Sequence, residues 1–257
     1  MPRYDINFHK RTLPSQCISL SSTEGQEIFR SAQGCPDRPG SKCGLKVFFD
    51  LVTNFRTQVE PAYCGPSTLV MVLNTLAIKP RDAWGNHCRG TWREDSMMAQ
   101  FNMDVDEVKE VGITFSTFVN LAKFQRVQVD EVYGSESTVE EFRSIVRKVC
   151  CNAFEDYSTS SLSFSSDNSL SEQSVPDQLK KYLVVSYFRQ TLGQTGTGHF
   201  SPIGAYDEEL DQVLILDTAR FKYSPHWVSL DLLFEAMLPL DPDSNKSRGY
   251  MLIWRNK

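Results

Sequence analysis

Apolar and polar positions along the chain follow two kinds of pattern, and the change between them divides it. In the first part, apolar residues recur at helical spacing. Leu69, Val72, Leu73 and Leu76 stand at i, i+3, i+4 and i+7 after Cys64, with Pro66 tolerated in the first turn and Pro80 closing the pattern. Val139, Phe142, Ile145, Val146 and Val149 do the same behind Thr138-Val139-Glu140-Glu141, a capping box. Shorter helices are predicted from Ser22 to Phe29, from Met103 to Val111 with Gly112 as its stop, and from Ser116 to Phe124. In the second part the runs are compact and β-rich: Tyr182–Phe188, His199–Tyr206, Val213–Leu216 and Gly249–Trp254. Arg126–Tyr133 is an earlier strand, and Ser229–Leu238 a late helix stopped by Pro239.

Two stretches carry neither period. Gly34–Gly44 is dense in Gly and Pro and reads as a surface loop. Asn152–Asp177 turns serine-rich and polar, a composition that cannot bury enough apolar surface to offset its ordering entropy, and is expected to be a mobile insertion. The expectation is an α+β chain forming one domain over residues 1–257. A helical lobe covers about 11–151 and an antiparallel sheet lobe about 178–257.

Composition narrows the class. With 257 residues, 40% hydrophobic and 23% charged, the chain can bury a sizeable core. A formal charge of −5 argues against nucleic acid as a partner, because neutralising phosphates needs a surplus of Lys and Arg. No apolar run approaches the roughly 20 residues of a membrane helix, and the first ten residues lack the apolar core of a secretory signal. Seven cysteines without regular spacing fit a reducing, cytoplasmic setting better than a disulfide framework.

The candidate chemistry starts at Cys64. A thiol at a helix start meets unpaired N–H groups and the positive end of the helix dipole, which favour the thiolate. A buried, unreactive cysteine is the plainer reading, so the partners decide. Gln58, six residues upstream on an expected extended approach, can turn its amide N–H toward the thiol, as in the oxyanion hole of papain-like cysteine enzymes. The strands from His199 and to Asp217 are joined by the short acidic turn Asp207-Glu208-Glu209, so they should form a hairpin with His199 roughly across from Asp217. A carboxylate would then hold one imidazole nitrogen and leave the other for a thiol, the logic of a Cys/His/Asp triad. The turn Gln194-Thr195-Gly196-Thr197-Gly198 lacks the context of a phosphate loop; its glycines, Gly198 included, would let backbone approach a substrate. Arg220, Lys222 and Tyr223 place two cations and a tyrosine just beyond Asp217.

Other cysteines carry weaker signals. Cys35 and Cys43 are eight apart, not a zinc-ribbon spacing, and read as loop residues. Trp84, His87, Cys88 and Trp92 read as surface features. Cys150-Cys151, at a helix end, could hold a soft metal or simply pack.

Three motifs taken together resemble the catalytic domain of the phytochelatin synthase family, over about Arg11–Trp254. They are Thr57-Gln58-Val59-Glu60-Pro61-Ala62-Tyr63-Cys64-Gly65, Gln194 through Gly198 into His199-Phe200-Ser201-Pro202-Ile203-Gly204, and Leu214-Ile215-Leu216-Asp217 through Arg220-Phe221-Lys222-Tyr223 to Pro225-His226-Trp227. The resemblance implies a papain-like fold and a glutathione γ-glutamylcysteinyltransferase making phytochelatins for heavy-metal detoxification. Cys64 would be the nucleophile, His199 the general acid and base, Asp217 its orienter and Gln58 an oxyanion donor. It further implies that Asp241 and Arg248 hold the γ-glutamyl amine and carboxylate, and that Tyr63, Arg220 and Tyr223 hold the second substrate. No organic cofactor is expected. Cd²⁺ or Zn²⁺ would act chiefly as the metal–glutathione thiolate, whose anionic charge would suit Arg220 and Lys222. Glutathione and phytochelatin peptides are the implied partners, and a homodimer is compatible. Simple hydrolysis of glutathione and a non-catalytic thiol-rich metal binder are the competing readings. Unlike plant members, the chain has Met97-Met98-Ala99-Gln100 after its Asp-Ser-Met motif in place of neighbouring cysteines.

Overall fold

A computed structural model describes residues 11–34, 42–80, 90–153 and 180–255. Cys35, Trp84, His87, Cys88 and the serine-rich stretch from 154 onward lie outside the described residues. The architecture is α+β: a seven-stranded antiparallel sheet with helices packed on it.

The chain enters through β1 (Ile18–Ser19) and α1 (Thr23–Ala32), the latter capped by Ser22, whose hydroxyl accepts from Gly25 N. After β2 (Lys42–Cys43) come α2 (Phe48–Thr53), α3 (Cys64–Thr75), α4 (Glu94–Gln100), α5 (Val105–Val111) and α6 (Phe115–Phe124). Asp104 caps α5 and Gly112, at φ 79°, ends it. Then follow β3 (Val127–Tyr133), α7 (Val139–Cys150) with the capping box between Thr138 and Glu141 formed, and β4 (Asn152–Ala153), which pairs with β2. The rest is mostly sheet: β5 (Lys181–Phe188), β6 (Gly198–Asp207), β7 (Gln212–Ile215), β8 (His226–Ser229) leading into α8 (Leu230–Glu235), then the small hairpin β9 (Leu240–Asp241) and β10 (Lys246–Ser247), and β11 (Gly249–Arg255).

Sheet order is β1-β8-β7-β6-β5-β11-β3. Its two edge strands, β1 and β3, come from the helix-rich part of the chain, so the sheet is not confined to residues after 178. β6 is buried at every position from His199 to Asp207, which requires cover on both faces; α3, α1, α2 and α7 pack against it. The β6–β7 hairpin forms as expected, but its register shifts between Ile203 and Ala205 at Gly204, where an added Cβ would lie 2.8 Å from Leu216 Cγ.

α3 departs from the amphipathic expectation. Every residue from Gly65 to Leu73 is buried, so the helix is enclosed on all sides rather than half-solvated. It also stops before Pro80: Ala77 takes φ 52° and donates to Asn74 O. Two helices, α2 and α4, fall where no helix was expected. Trp92, which reads as a surface residue, is buried, with its main-chain N–H donating to Asn74 Oδ1 at 2.7 Å.

Candidate active site

The three motifs converge on one place. The Gln58 main-chain N–H donates to Thr218 O at 2.9 Å and the Thr218 hydroxyl donates to Gln58 Oε1 at 3.2 Å, clamping the approach to α3 against the residue after Asp217. One turn into α3, the Thr68 hydroxyl donates to Phe200 O at 3.1 Å, tying the helix to the residue after His199. Gly65 sits where a Cβ would lie 2.6 Å from Ile113, so the helix start can seat closely only without a side chain there. These contacts set the helix of Cys64 and the strand of His199 in a fixed relation.

His199 is buried, its ring packed edge-on against Tyr187 at 5.6 Å. Its Nε2 lies 2.8 Å from Asp217 Oδ1, which leaves its other ring nitrogen for Cys64, beside it in the cavity lining. Asp217 is fully buried. Its Oδ1 also accepts the Ala219 N–H at 2.8 Å, and its Oδ2 accepts Arg189 Nη2 at 2.7 Å. Burial alone would raise this carboxyl, but the charges of Arg189 and His199 overcome it and hold it well below the usual carboxylate range. At His199, burial and Arg189 disfavour the imidazolium, and Asp217 and Cys64 more than offset them, so its pKa is raised. At Cys64, burial would push the thiol up, yet His199, the Phe200 N–H and Arg189 bring it down. The directions agree: the fold favours a thiolate–imidazolium pair over a neutral one.

Arg189 was not singled out in the sequence, and it is the most consequential addition. It opens a 3-10 turn, Arg189–Leu192, directly after β5, and is buried with Nη1 donating to Gln194 Oε1 and its guanidinium 5.3 Å from the Tyr223 ring centre. The signal is a charged residue directly after Tyr182–Phe188, a run that reads as a buried strand, so that it needs a buried counter-charge such as Asp217.

Cys64 and His199 line a cavity of about 680 Å³. Gly198, Asp241 and Arg248 line it too, as do Arg11, Lys109, Arg189 and Lys222. Arg248 is buried, donates from Nη1 to Pro239 O at 2.9 Å and Leu240 O at 3.1 Å, and stands 3.5 Å from Asp241 Oδ1. A side chain at Gly198 would meet its guanidinium at 3.4 Å. An acid and a base thus share one wall, and cations outnumber carboxylates along the lining.

Other expected residues are placed differently. Gln58 Nε2 donates to Glu60 O at 3.0 Å and Pro61 O at 2.8 Å, so both amide hydrogens brace the loop instead of aiming at the thiol. The reason is local: residues 59–63 turn rather than extend, and their carbonyls need donors. Tyr63 is buried away from the cavity with Met98 and Val108. Tyr223 is buried too, its hydroxyl accepting the Thr195 N–H at 2.9 Å, so it pins the glycine-rich turn from behind. Arg220 is exposed and lies over the Phe55 ring at 5.2 Å, outside the cavity lining. Cys150 is fully buried in the core, where burial and the neighbouring Cys151 push its thiol well up, and no group of three potential metal ligands gathers among the described residues.

The family model for phytochelatin synthase matches residues 8–250. The chain belongs to the phytochelatin synthase family. Among curated proteins it is 39% identical over 250 residues to glutathione gamma-glutamylcysteinyltransferase 2 of Arabidopsis thaliana and 41% identical over 251 residues to glutathione gamma-glutamylcysteinyltransferase 1 of that plant. The glutathione gamma-glutamylcysteinyltransferase of Schizosaccharomyces pombe is 33% identical over 248 residues. These alignments cover 97%, 97% and 96% of this chain but 47%, 44% and 51% of the relatives. The chain therefore spans about half the length of the curated relatives it matches.

Proposed function

We propose that this chain transfers the γ-glutamylcysteinyl unit of glutathione, through a thioester on Cys64, to a second glutathione or a phytochelatin. The helix-borne cysteine facing a strand-borne histidine supports a papain-like arrangement. The observation that carries the reading is the half-buried Cys64 beside the buried His199–Asp217–Arg189 set, at one wall of a cavity that Asp241 and Arg248 line elsewhere.

The Cys64 thiolate attacks the carbonyl carbon of the cysteinyl-glycine amide, and backbone N–H groups at the start of α3 face the developing oxyanion. The C–N bond breaks as the His199 imidazolium gives its proton to the departing glycine amine. His199, now neutral, takes a proton from the α-amine of the second substrate as that amine attacks the thioester, and the thiolate leaves. Asp217, kept ionised by Arg189, holds the imidazole and its charge through both steps. Asp241 suits an α-ammonium and Arg248 an α-carboxylate, the two charges of a γ-glutamyl end. Cd²⁺ or Zn²⁺ enters as part of the substrate, the soft-metal thiolate of glutathione, and Lys222 in the cavity wall suits its anionic charge.

Incubation with glutathione, with and without Cd²⁺, tests this by chromatography of glycine, γ-Glu-Cys and longer peptides. Oligomers of γ-Glu-Cys are expected. Free dipeptide without oligomers would replace transfer with hydrolysis, and product formation by a Cys64→Ala variant would remove the thioester.

A further inference from the structure

Behind the Asp217–Arg189 pair lies a shell of further buried polar groups that the mechanism above does not use. Gln194 Oε1 accepts from Arg189 Nη1. Gln194 Nε2 stands 2.9 Å from His226 Nε2, and His226 Nδ1 stands 2.8 Å from Ser224 O. Gln194 and His226 are both buried. His226 pairs with Ile215 of β7 and with Ser19 of β1, so the shell reaches from the edge of the sheet to the catalytic carboxylate.

The donor and acceptor roles along this shell are forced from its charged end. A guanidinium has only donors, so the Gln194 oxygen must face Arg189 and its NH₂ must face His226. His226 must then accept at Nε2, which puts its single proton on Nδ1, where Ser224 O accepts it. Only a neutral His226 fits. A second proton on the ring would set N–H against N–H, turn the Gln194 amide over and leave Arg189 Nη1 facing a donor. We propose that Gln194 and His226 are positioning residues, which polarise and orient the Arg189 guanidinium so that Asp217 stays ionised and the Cys64–His199 pair stays charged.

Buried polar groups that merely satisfy one another would show no such dependence on direction. Here one end is an ion that touches the catalytic carboxylate, and the other is a histidine lined up for one tautomer. The groups acting electrostatically on His226 are Asp217, Arg189 and His199, with the Ser224 carbonyl on its own strand connection; burial holds its pKa down at about 4, consistent with the neutral form. Cys17, whose Sγ lies 3.7 Å from Gln194 Nε2, is kept protonated by burial, at about 11.

The inference rests on Cys64 and His199 being the reactive pair but not on the identity of the substrate, and its test reads the pair directly. Alkylation of Cys64 by iodoacetamide is followed against pH by mass spectrometry of the Cys64 peptide, alongside glycine release from glutathione. For His226→Leu, alkylation at pH 6 should slow at least about tenfold as thiolate is lost. In the same variant kcat should fall by roughly 10²-fold, with KM within about twofold because the shell does not touch substrate. His226→Gln, which restores an acceptor near the Nε2 position, should recover most of both. Gln194→Met, close in size and without hydrogen-bonding groups, should reproduce the Leu variant from the other side, and carries the comparison with His226→Gln if His226→Leu fails to fold. The proposal is overturned if a folded His226→Leu or Gln194→Met keeps the wild-type alkylation profile, or if His226→Gln is no better than His226→Leu. Failure of the unaltered protein to turn over glutathione would sink the transferase reading and leave the alkylation comparison in force.

Discussion

Two walls of the same cavity are built on different physics. On the wall behind His199, every charge is buried and answered: Asp217 receives Arg189, His199 and the Ala219 N–H, and Arg189 in turn meets Gln194. On the wall formed by the end of α5 and the β9–β10 hairpin, Asp241 and Arg248 stand 3.5 Å apart, and Val111 and Leu240 are 69% and 60% exposed. The first wall is set before any ligand arrives. The second leaves charge and apolar surface for a ligand to complete. On the proposed function bond chemistry falls to the one and recognition to the other, and substitutions should separate the two.

The largest effect is expected at Cys64. Cys64→Ala should lower glycine release by on the order of 10⁴-fold or more, with the fold and melting temperature retained. Arg189→Met comes next, because it strands a buried carboxylate. It should cost about 3–5 kcal/mol of stability by urea titration, since a lone buried charge is far worse than a paired one, and lower kcat as well. If Arg189→Met instead changed KM alone, the division between the walls would be wrong. On the recognition wall, Asp241→Asn should raise KM for glutathione about tenfold with kcat little changed, the equivalent of about 1.4 kcal/mol of binding.

Acid stability sharpens the same contrast. His226, neutral in the fold with a pKa lowered from 6.5 to about 4, binds a proton more readily when unfolded, so its contribution is present above pH 6.5 and is lost as pH falls toward 4. Asp217, depressed from 3.8, loses its contribution only at still lower pH. His199, raised from 6.5, contributes fully below that value and loses it as pH rises through its folded pKa. Urea midpoints should therefore fall between pH 6.5 and 4, and fall less steeply in His226→Gln. The smallest effect is expected at Arg220: replacing this exposed side chain with Ala should move stability by no more than about 0.5 kcal/mol and leave KM unchanged. A large KM change there would extend the recognition surface beyond the cavity.

Much of this was legible in the sequence because it is local. The caps at Thr138 and Ser229, the stop at Gly112, the run of β5 and the motifs around Cys64, His199 and Asp217 all announce themselves within a few residues. The rest depends on what the chain meets in space. Arg189 and Asp217 are 28 residues apart, so a charge that follows a buried strand does not by itself disclose its partner. Gln58 has the composition of an oxyanion donor, but its amide is taken by the carbonyls of a turn that reads as extended. Tyr63, Arg220 and Tyr223 belong to motifs rich in site residues, yet packing turns each away from the cavity. α3 reads as amphipathic because its pattern has helical period; only the helices and strands around it reveal that its other faces are covered as well.

The register shift at Gly204 decides whether the histidine and the aspartate can meet at all. Side chains alternate across a sheet, so counting by odd and even numbers tells which side each points to. From Asp207 opposite Gln212, an uninterrupted ladder would continue to Pro202 opposite Asp217, placing Asp217 on the even side and His199 on the odd. Beyond Gly204 the partner of Ile203 is Ile215, where β7 ends; the same count continued two residues past that end would set Ser201 against Asp217, on the side of His199, in keeping with the 2.8 Å contact between His199 Nε2 and Asp217 Oδ1. One unmatched residue thus acts as a parity switch. It follows that residues added at the Glu208–Asp211 tip leave the site alone, whereas a single residue added or removed between Phe200 and Ile215 inside the ladder would put acid and base on opposite faces without altering either.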